Sequence, residues 1–207
     1  MEAQPTPDGD VIIAVLASGS ANGYDSIIAK MNAEGEILWA KTISGPGAEN
    51  PVSLLVSNNE IVLLSGSSSF SLDGDQGTLL TKLDLDGNLI WMKFFDLPGY
   101  EKPLKLIEHP SGGYAVWGHL NHLNSASYDA WMMHIADSGD FVFANSYGGP
   151  TVELAWSALA VEDGIIVSGD TDSFGQGSND MYLMKLGDSG EILWQKTYGG
   201  QYSEHAV

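Results

Sequence analysis

The chain has no cysteine and no arginine, and its 8 lysines stand against 27 aspartates and glutamates, a formal net charge of −19 over 207 residues. Without thiols there is no disulfide scaffold, no cysteine-ligated zinc and no thiol catalysis. Without guanidinium groups, bidentate fork recognition of phosphate or carboxylate is excluded. So few cations argue against nucleic acid, whose phosphates need basic partners, and against an anionic membrane surface. Long apolar runs are missing too: the longest, Val11 to Ala17, falls far short of the ~20 residues of a helical membrane span. The opening MEAQPTPDGD has neither a basic start nor an apolar stretch, so no signal peptide is expected in this sequence. No stretch sustains a helical period.

What is present is a repeat. SIIAKMNAEGEILWAKT (26–42), TLLTKLDLDGNLIWMKF (78–94) and MYLMKLGDSGEILWQKT (181–197) share one hairpin, and AWMMHIADSGDFVFANS (130–146) has the same frame with Phe143 in place of Trp. Trp39, Trp91, Phe143 and Trp194 follow one another at 52, 52 and 51 residues. Gly35, Gly87, Gly139 and Gly190 keep that spacing, as do Glu49, Glu101, Glu153 and Glu204. Each unit reads as four short strands; in the second they fall near 51–56, 60–66, 77–84 and 88–95, joined by tight-turn pairs such as Asn58-Asn59 and Asp86-Gly87. IVLLSG and LLTKL are apolar on both faces, as strands between stacked sheets would be. Four-stranded units of this length predict an all-β fold, a β-propeller of four blade-equivalents in a single domain over 1–207. The expected blades are 204–207 plus 1–48, 49–100, 101–152 and 153–203. EHAV joined to MEAQPTPDGDVIIAVLASG aligns with ENPVSLLVSNNEIVLLSG, which puts the seam inside one blade's first strand. Three arrangements satisfy this: a closed four-bladed monomer, a dimer sharing an eight-bladed ring, or a segment of a longer propeller.

SGDTDSFGQGSNDMYLMKLGDSGEILWQKTYGG (168–200) resembles the secreted bacterial and archaeal β-propeller repeat. The blade at 153–204 matches best, and that at 101–152 departs most, with His134 for Lys and Phe143 for Trp. The resemblance spans the chain and implies an extracellular or envelope setting but no activity. More distantly, Gly35/Trp39, Gly87/Trp91 and Gly190/Trp194 are similar to the blade-docking motif of quinone-enzyme propellers. The vicinal cysteines of a quinone site are absent, so only the blade similarity carries over.

If the first strand of each unit is innermost, the longer loops SANGYD (20–25), SSSFSLDGDQG (67–77), HLNHLNSASYD (119–129) and DTDSFGQGSND (170–180) share one face. Loops on a rigid scaffold are where binding residues sit, and these suit a protein or glycan partner. Asp73 and Asp75, and Asp170 and Asp172, form Asp-x-Asp pairs that can hold Ca²⁺ or simply cap turns. His119 and His122 occur in one blade alone, with Trp117 and Trp131. They are either polar loop histidines or the start of a blade-specific site; the tryptophans either stack on a sugar or pack between blades. Glu49, Glu101, Glu153 and Glu204 either converge on an axial cation, for which oxygen ligands suit Ca²⁺, or bond locally within each blade. Lys30, Lys82 and Lys185 recur on strands and are placed to pair with nearby acids. No Ser-x-x-Lys, Gly-x-Ser-x-Gly or phosphate-loop motif is found. The expectation is a non-catalytic, secreted or cell-surface propeller that binds through its long-loop face. The alternatives are a glycan hydrolase or lyase with a carboxylate pair in the axial funnel, or a structural segment of a larger envelope protein.

Overall fold

Tight turns set the strand boundaries. Asn58 and Asn59 both adopt positive φ, +52° and +61°, the two-residue turn whose twist matches antiparallel strands. Gly35, Gly87, Gly139 and Gly190 close the other repeated hairpin at φ between +77° and +84°, where a side chain would be strained. The computed structural model describes residues 2–20, 23–71, 75–121 and 127–205.

The turns produce four antiparallel four-stranded sheets, each in simple sequence order, the four propeller blades that the repeat predicts. The first holds β1 (Glu2–Pro5), β2 (Val11–Ser20), β3 (Gly23–Met31) and β4 (Ile37–Ile43). The second holds β5 (Glu49–Ser57), β6 (Glu60–Ser67), β7 (Gly77–Asp84) and β8 (Leu89–Phe95). The third is β9 (Tyr100–Glu108), β10 (Tyr114–Asn121), β11 (Tyr128–Ile135) and β12 (Phe141–Tyr147). The fourth is β13 (Glu153–Val161), β14 (Gly164–Thr171), β15 (Asp180–Leu186) and β16 (Ile192–Tyr198). Among the described residues no helix is long and apolar enough to cross a membrane.

The chain forms two compact units, residues 1–97 and 98–207, with two sheets each. In the first unit β5 packs against β1, β2 and β3, and in the second β13 packs against β9, β10 and β11. The first strand of one sheet thus lies on the sheet before it. Between the sheets of the first unit sit Ile12, Ile28, Leu54, Ile61, Leu63 and Leu79; between those of the second sit Trp117, Met132, Tyr147, Ile165, Tyr182 and Met184. The middle strands β6, β7, β10 and β11 are buried along nearly their whole length, whereas β4, β8 and β16 are mostly exposed. This is why IVLLSG and LLTKL lack alternation.

The repeated aromatic docks one blade on the next. The Trp39 ring covers Gly87, and its Nε1–H donates to the Leu85 carbonyl at 3.0 Å. In the second unit Phe143 lies on Gly190, and the Tyr147 hydroxyl donates to the Gly190 carbonyl at 2.8 Å. The first sheet departs from the others. Its opening strand β1 is four residues long, pairing Glu2–Pro5 with Ala14–Val11. Glu204 lies outside any strand, its amide bonded to the Asn179 carbonyl at 2.8 Å.

Candidate functional site

Three of the four repeated glutamates are seen in local bonds. Glu49 and Glu153 are fully buried. Glu49 Oε1 accepts from the hydroxyls of Ser67 (3.2 Å) and Ser69. Glu153 accepts from Thr171 Oγ1 at 2.8 Å and from the Gly149 amide at 2.5 Å, and Glu204 from the Gly200 amide at 3.0 Å. Glu101 is also buried, at the start of β9. Among the described residues no three His, Cys, Asp or Glu side chains group as ligands for a metal ion. Glu153 and Glu204 thus hold to the loop before them, and Glu49 ties the start of β5 to the end of β6 and the loop after it.

They also explain the Tyr-Gly-Gly motif. A Cβ on Gly148 would stand 2.1 Å from Asp129 Oδ1 and 2.9 Å from Glu153 Oε2, and one on Gly199 would stand 1.7 Å from Asp180 Oδ1 and 2.5 Å from Glu204 Oε2. Only glycine leaves room for both acids. Gly148→Ala is therefore expected to destabilise the fold by about 1–3 kcal/mol, the usual cost of forced overpacking. Urea unfolding of that variant, with and without Asp129→Ala added to vacate the space, checks it; an undiminished stability in the single variant would refute the steric reading.

The lysines are more buried than an exposed pair would be. Lys30 reaches Asp8 (2.6 Å) and Asp10 (3.1 Å), Lys82 reaches Glu60 (2.6 Å) and Lys185 reaches Asp163 (2.6 Å). Each ties the third strand of a blade to the turn joining its first two strands. The hydrogen bond from Lys30, with a second from Thr6, holds the Asp8 carboxyl down at about 2. The third blade replaces this pair with two histidines. His109 and His134 stack at 3.6 Å between ring centroids and 12° between planes, with Phe143 edge-on to both. His134 Nε2 donates to the Gly112 carbonyl at 2.9 Å, and the Ser111 amide donates to His109 Nδ1 at 3.2 Å. Burial, aided by the neighbouring His134, pushes His109 down to about 4.

Of the long-loop candidates, Asp73 and His122 lie outside the described residues. Asp75 accepts from Ser71 Oγ at 2.7 Å, and Asp172 Oδ1 from Asn179 Nδ2 at 2.7 Å; both bond within their own loops. Trp117 and Trp131 are buried, so they pack rather than stack on a ligand. His119 is not a loop residue: it sits in β10, 5% exposed. Asp170 is likewise a buried strand residue of β14, too enclosed to share a surface cation with Asp172.

His119 instead lines a cleft of about 470 Å³ in the second unit, together with Tyr100, Lys102, Tyr128, Val152, Leu154 and Trp156, and the buried Asp170 stands behind it, bonded to the Trp156 indole. Strand register builds one wall. Tyr100 pairs with Asn121 and Asn121 with Tyr128, forming one row across β9, β10 and β11; Lys102 pairs with His119 and His119 with Ala130, forming the next. Cross-strand neighbours share a face, and so do positions two apart on one strand. Tyr100, Lys102, His119 and Tyr128 therefore stand on the same face of the third sheet.

The other wall is β13, and a bulge aims its key residue. Ala155 pairs with Gly169 and Ser157 with Ser168, leaving Trp156 as the extra residue. The same irregularity skips Val52 in β5 and Leu104 in β9, so the bulge recurs with the repeat and only its occupant changes. Bulges re-aim side chains in this way. The Trp156 indole donates from Nε1 to Asp170 Oδ2 at 2.9 Å and meets the His119 ring edge-to-face at 5.1 Å. Tyr100, Tyr128 and Trp156 are 43, 37 and 45% exposed, three aromatic surfaces around one opening.

His119 is a buried, uncharged part of the wall. Burial, reinforced by the nearby Lys102 ammonium and opposed by a hydrogen bond to the Ala155 backbone, lowers it to about 4, so it is neutral at pH 7. Its Nε2 is enclosed and has no hydrogen-bond partner among the described residues. Sequence reasoning singled out His119 but missed Tyr100, Lys102, Tyr128 and Trp156. The available signal was the break in the repeat, a tryptophan at 156 in frame with Val52 and Leu104. A second cleft of about 350 Å³, in the first unit between β4 and β8, is lined by Ile43, Leu83, Leu89 and Met92 with Lys41 and Thr81; it has no aromatic ring.

No family model and no curated protein matches the chain. Solved structures do. An apocarotenoid oxygenase of Synechocystis aligns at 12% identity with a TM-score of 0.53, covering 94% of this chain and 48% of its own. An acylaminoacyl peptidase of Pyrococcus horikoshii aligns at 13% with a TM-score of 0.55, covering 96% of this chain and 32% of its own. A neuraminidase-like protein of A/little yellow-shouldered bat/Guatemala aligns at 12% with a TM-score of 0.51, covering 96% and 67%. The chain thus spans about half the length of the oxygenase and a third of the peptidase. At these identities the likeness is one of fold: successive four-stranded blades.

Proposed function

We propose that this protein is a non-catalytic, secreted or cell-surface β-propeller module that binds a glycan in the cleft formed by Tyr100, Tyr128 and Trp156. The observation that carries the reading is the exposure of three aromatic rings around one opening. Exposed aromatic faces stack on the apolar C–H faces of pyranose rings. The secreted setting rests on the repeat resemblance. Glycoside hydrolysis needs two carboxyl groups about 5–10 Å apart across the scissile bond. Among the described residues the cleft lining holds an imidazole and an ammonium and no carboxylate, which favours binding over turnover there.

The test is titration of the intact protein against a panel of oligosaccharides, followed by tryptophan fluorescence and by calorimetry. Saturable binding that perturbs tryptophan emission, without release of reducing ends, is the expected result. Binding to no member of the panel would overturn the glycan reading, and turnover abolished by one Asp or Glu substitution would promote the hydrolase.

A further inference from the structure

We infer that the glycan held by this cleft carries a carboxylate, as a uronic acid residue does, with the carboxylate paired to Lys102. The inference rests on the glycan reading of the same cleft and goes on to name the class of sugar.

The argument is one of charge placement. The chain carries only 8 lysines against 27 acids. Three of them, Lys30, Lys82 and Lys185, are taken up in pairs with acids of their own blades. Lys102 is different. It projects from β9 directly opposite His119 on one face of the sheet, is solvent-exposed, and lines the cleft. With His119 held neutral, Lys102 is the one charged group among the described residues of that lining. An anion entering the cleft meets an ammonium and no carboxylate among the described lining residues, Asp170 being buried behind the Trp156 indole. The molecule's remaining negative charge acts weakly across more than ~10 Å of 0.1 M salt.

Tyr100, Tyr128 and Trp156 surround the same opening. Their rings take the apolar faces of a pyranose, which leaves its carboxylate to reach the ammonium of Lys102.

The experiment titrates the full chain with a tetramer of galacturonate and with the same tetramer fully methyl-esterified, at 0.15 M salt and pH 7. Tetramers of glucuronate and mannuronate serve as further acids. The acid form is expected to bind about 10-fold more tightly than the ester, the scale of one charge-assisted hydrogen bond. Lys102→Gln, an exposed position, is expected to erase that preference while leaving the ester affinity within about 2-fold. Trp156→Ala, with folding checked by near-UV circular dichroism, is expected to weaken acid and ester alike. If neutral oligosaccharides bind as tightly as the acids, or if Lys102→Gln keeps the preference, the inference fails and the glycan reading stands. If no saccharide of either kind binds, both fail.

Discussion

Trp156→Ala is expected to weaken oligosaccharide binding by about 30-fold, equivalent to about 2 kcal/mol, the loss associated with truncating a central aromatic anchor. The indole forms one wall of the cleft, 45% exposed, and stands at a bulge instead of within the ladder. Removing it forfeits a ring face that no neighbour replaces. The fold should tolerate the change. Trp156 contributes little to the core of the second unit, and exposed substitutions usually stay within about 1 kcal/mol. The buried Asp170 carboxylate loses its indole donor, so part of any stability change belongs there. Trp156→Phe separates the two effects, keeping a stacking face while removing the donor. Calorimetric affinities for wild type and both variants, with urea midpoints alongside, check the assignment. An unchanged affinity in Trp156→Ala would remove the tryptophan from the site; an affinity lost in step with folding would make it structural.

Acid should unfold the protein through its histidines before its carboxylates are fully titrated. His109 and His119 are both lowered by burial to about 4 from 6.5. A depressed histidine is neutral in the folded state and takes up its proton on unfolding. The unfolded chain therefore binds more protons between pH 6.5 and 4, and stability falls as pH falls through that window, then levels below it. Each group contributes about 3 kcal/mol to the loss at its limit. Asp8, lowered to about 2 by its pairing, adds a loss in the same direction at still lower pH. The relief of self-repulsion as a molecule of charge −19 is protonated acts the other way. A variant isolates the histidine part. His109→Leu removes one buried proton acceptor, so its urea-derived stability should vary less steeply between pH 6.5 and 4 than that of wild type. Parallel curves for the two proteins would show that the stacked pair is not the acid-labile element.

The His109–His134 stack shows why the third blade is where the repeat and the structure part company. In the other blades a lysine crosses to an acid in the facing turn, and the pattern is visible as Lys30, Lys82 and Lys185. At His134 the same register position holds a ring that bonds a backbone carbonyl and stacks on its neighbour. The substitution is legible in the sequence; its partner, His109, is not, because it lies 25 residues earlier and meets His134 only through the pairing of β9, β10 and β11.

The sequence by itself determined the blades. Hairpin turns at Gly35, Gly87, Gly139 and Gly190, and at Asn58-Asn59, are local chemistry, since positive φ at those positions admits few residues. The once-per-blade recurrence of Trp39, Trp91 and Trp194 resembles a blade-docking motif, and Trp39 is found packed on Gly87 of the next blade; that Gly87 is its partner came only from the structure. The repeated glutamates were recognisable as a structural or an axial set, and local hydroxyl and amide donors account for the bonds of Glu49, Glu153 and Glu204. Only the tertiary structure decided where a ligand would sit. Tyr100, His119, Tyr128 and Trp156 come from four strands of two sheets. Their convergence depends on cross-strand register and on a one-residue bulge, and a shift of one residue would turn each side chain to the opposite face. Register is fixed by the packing of whole sheets, a long-range property that no local stretch of the sequence encodes.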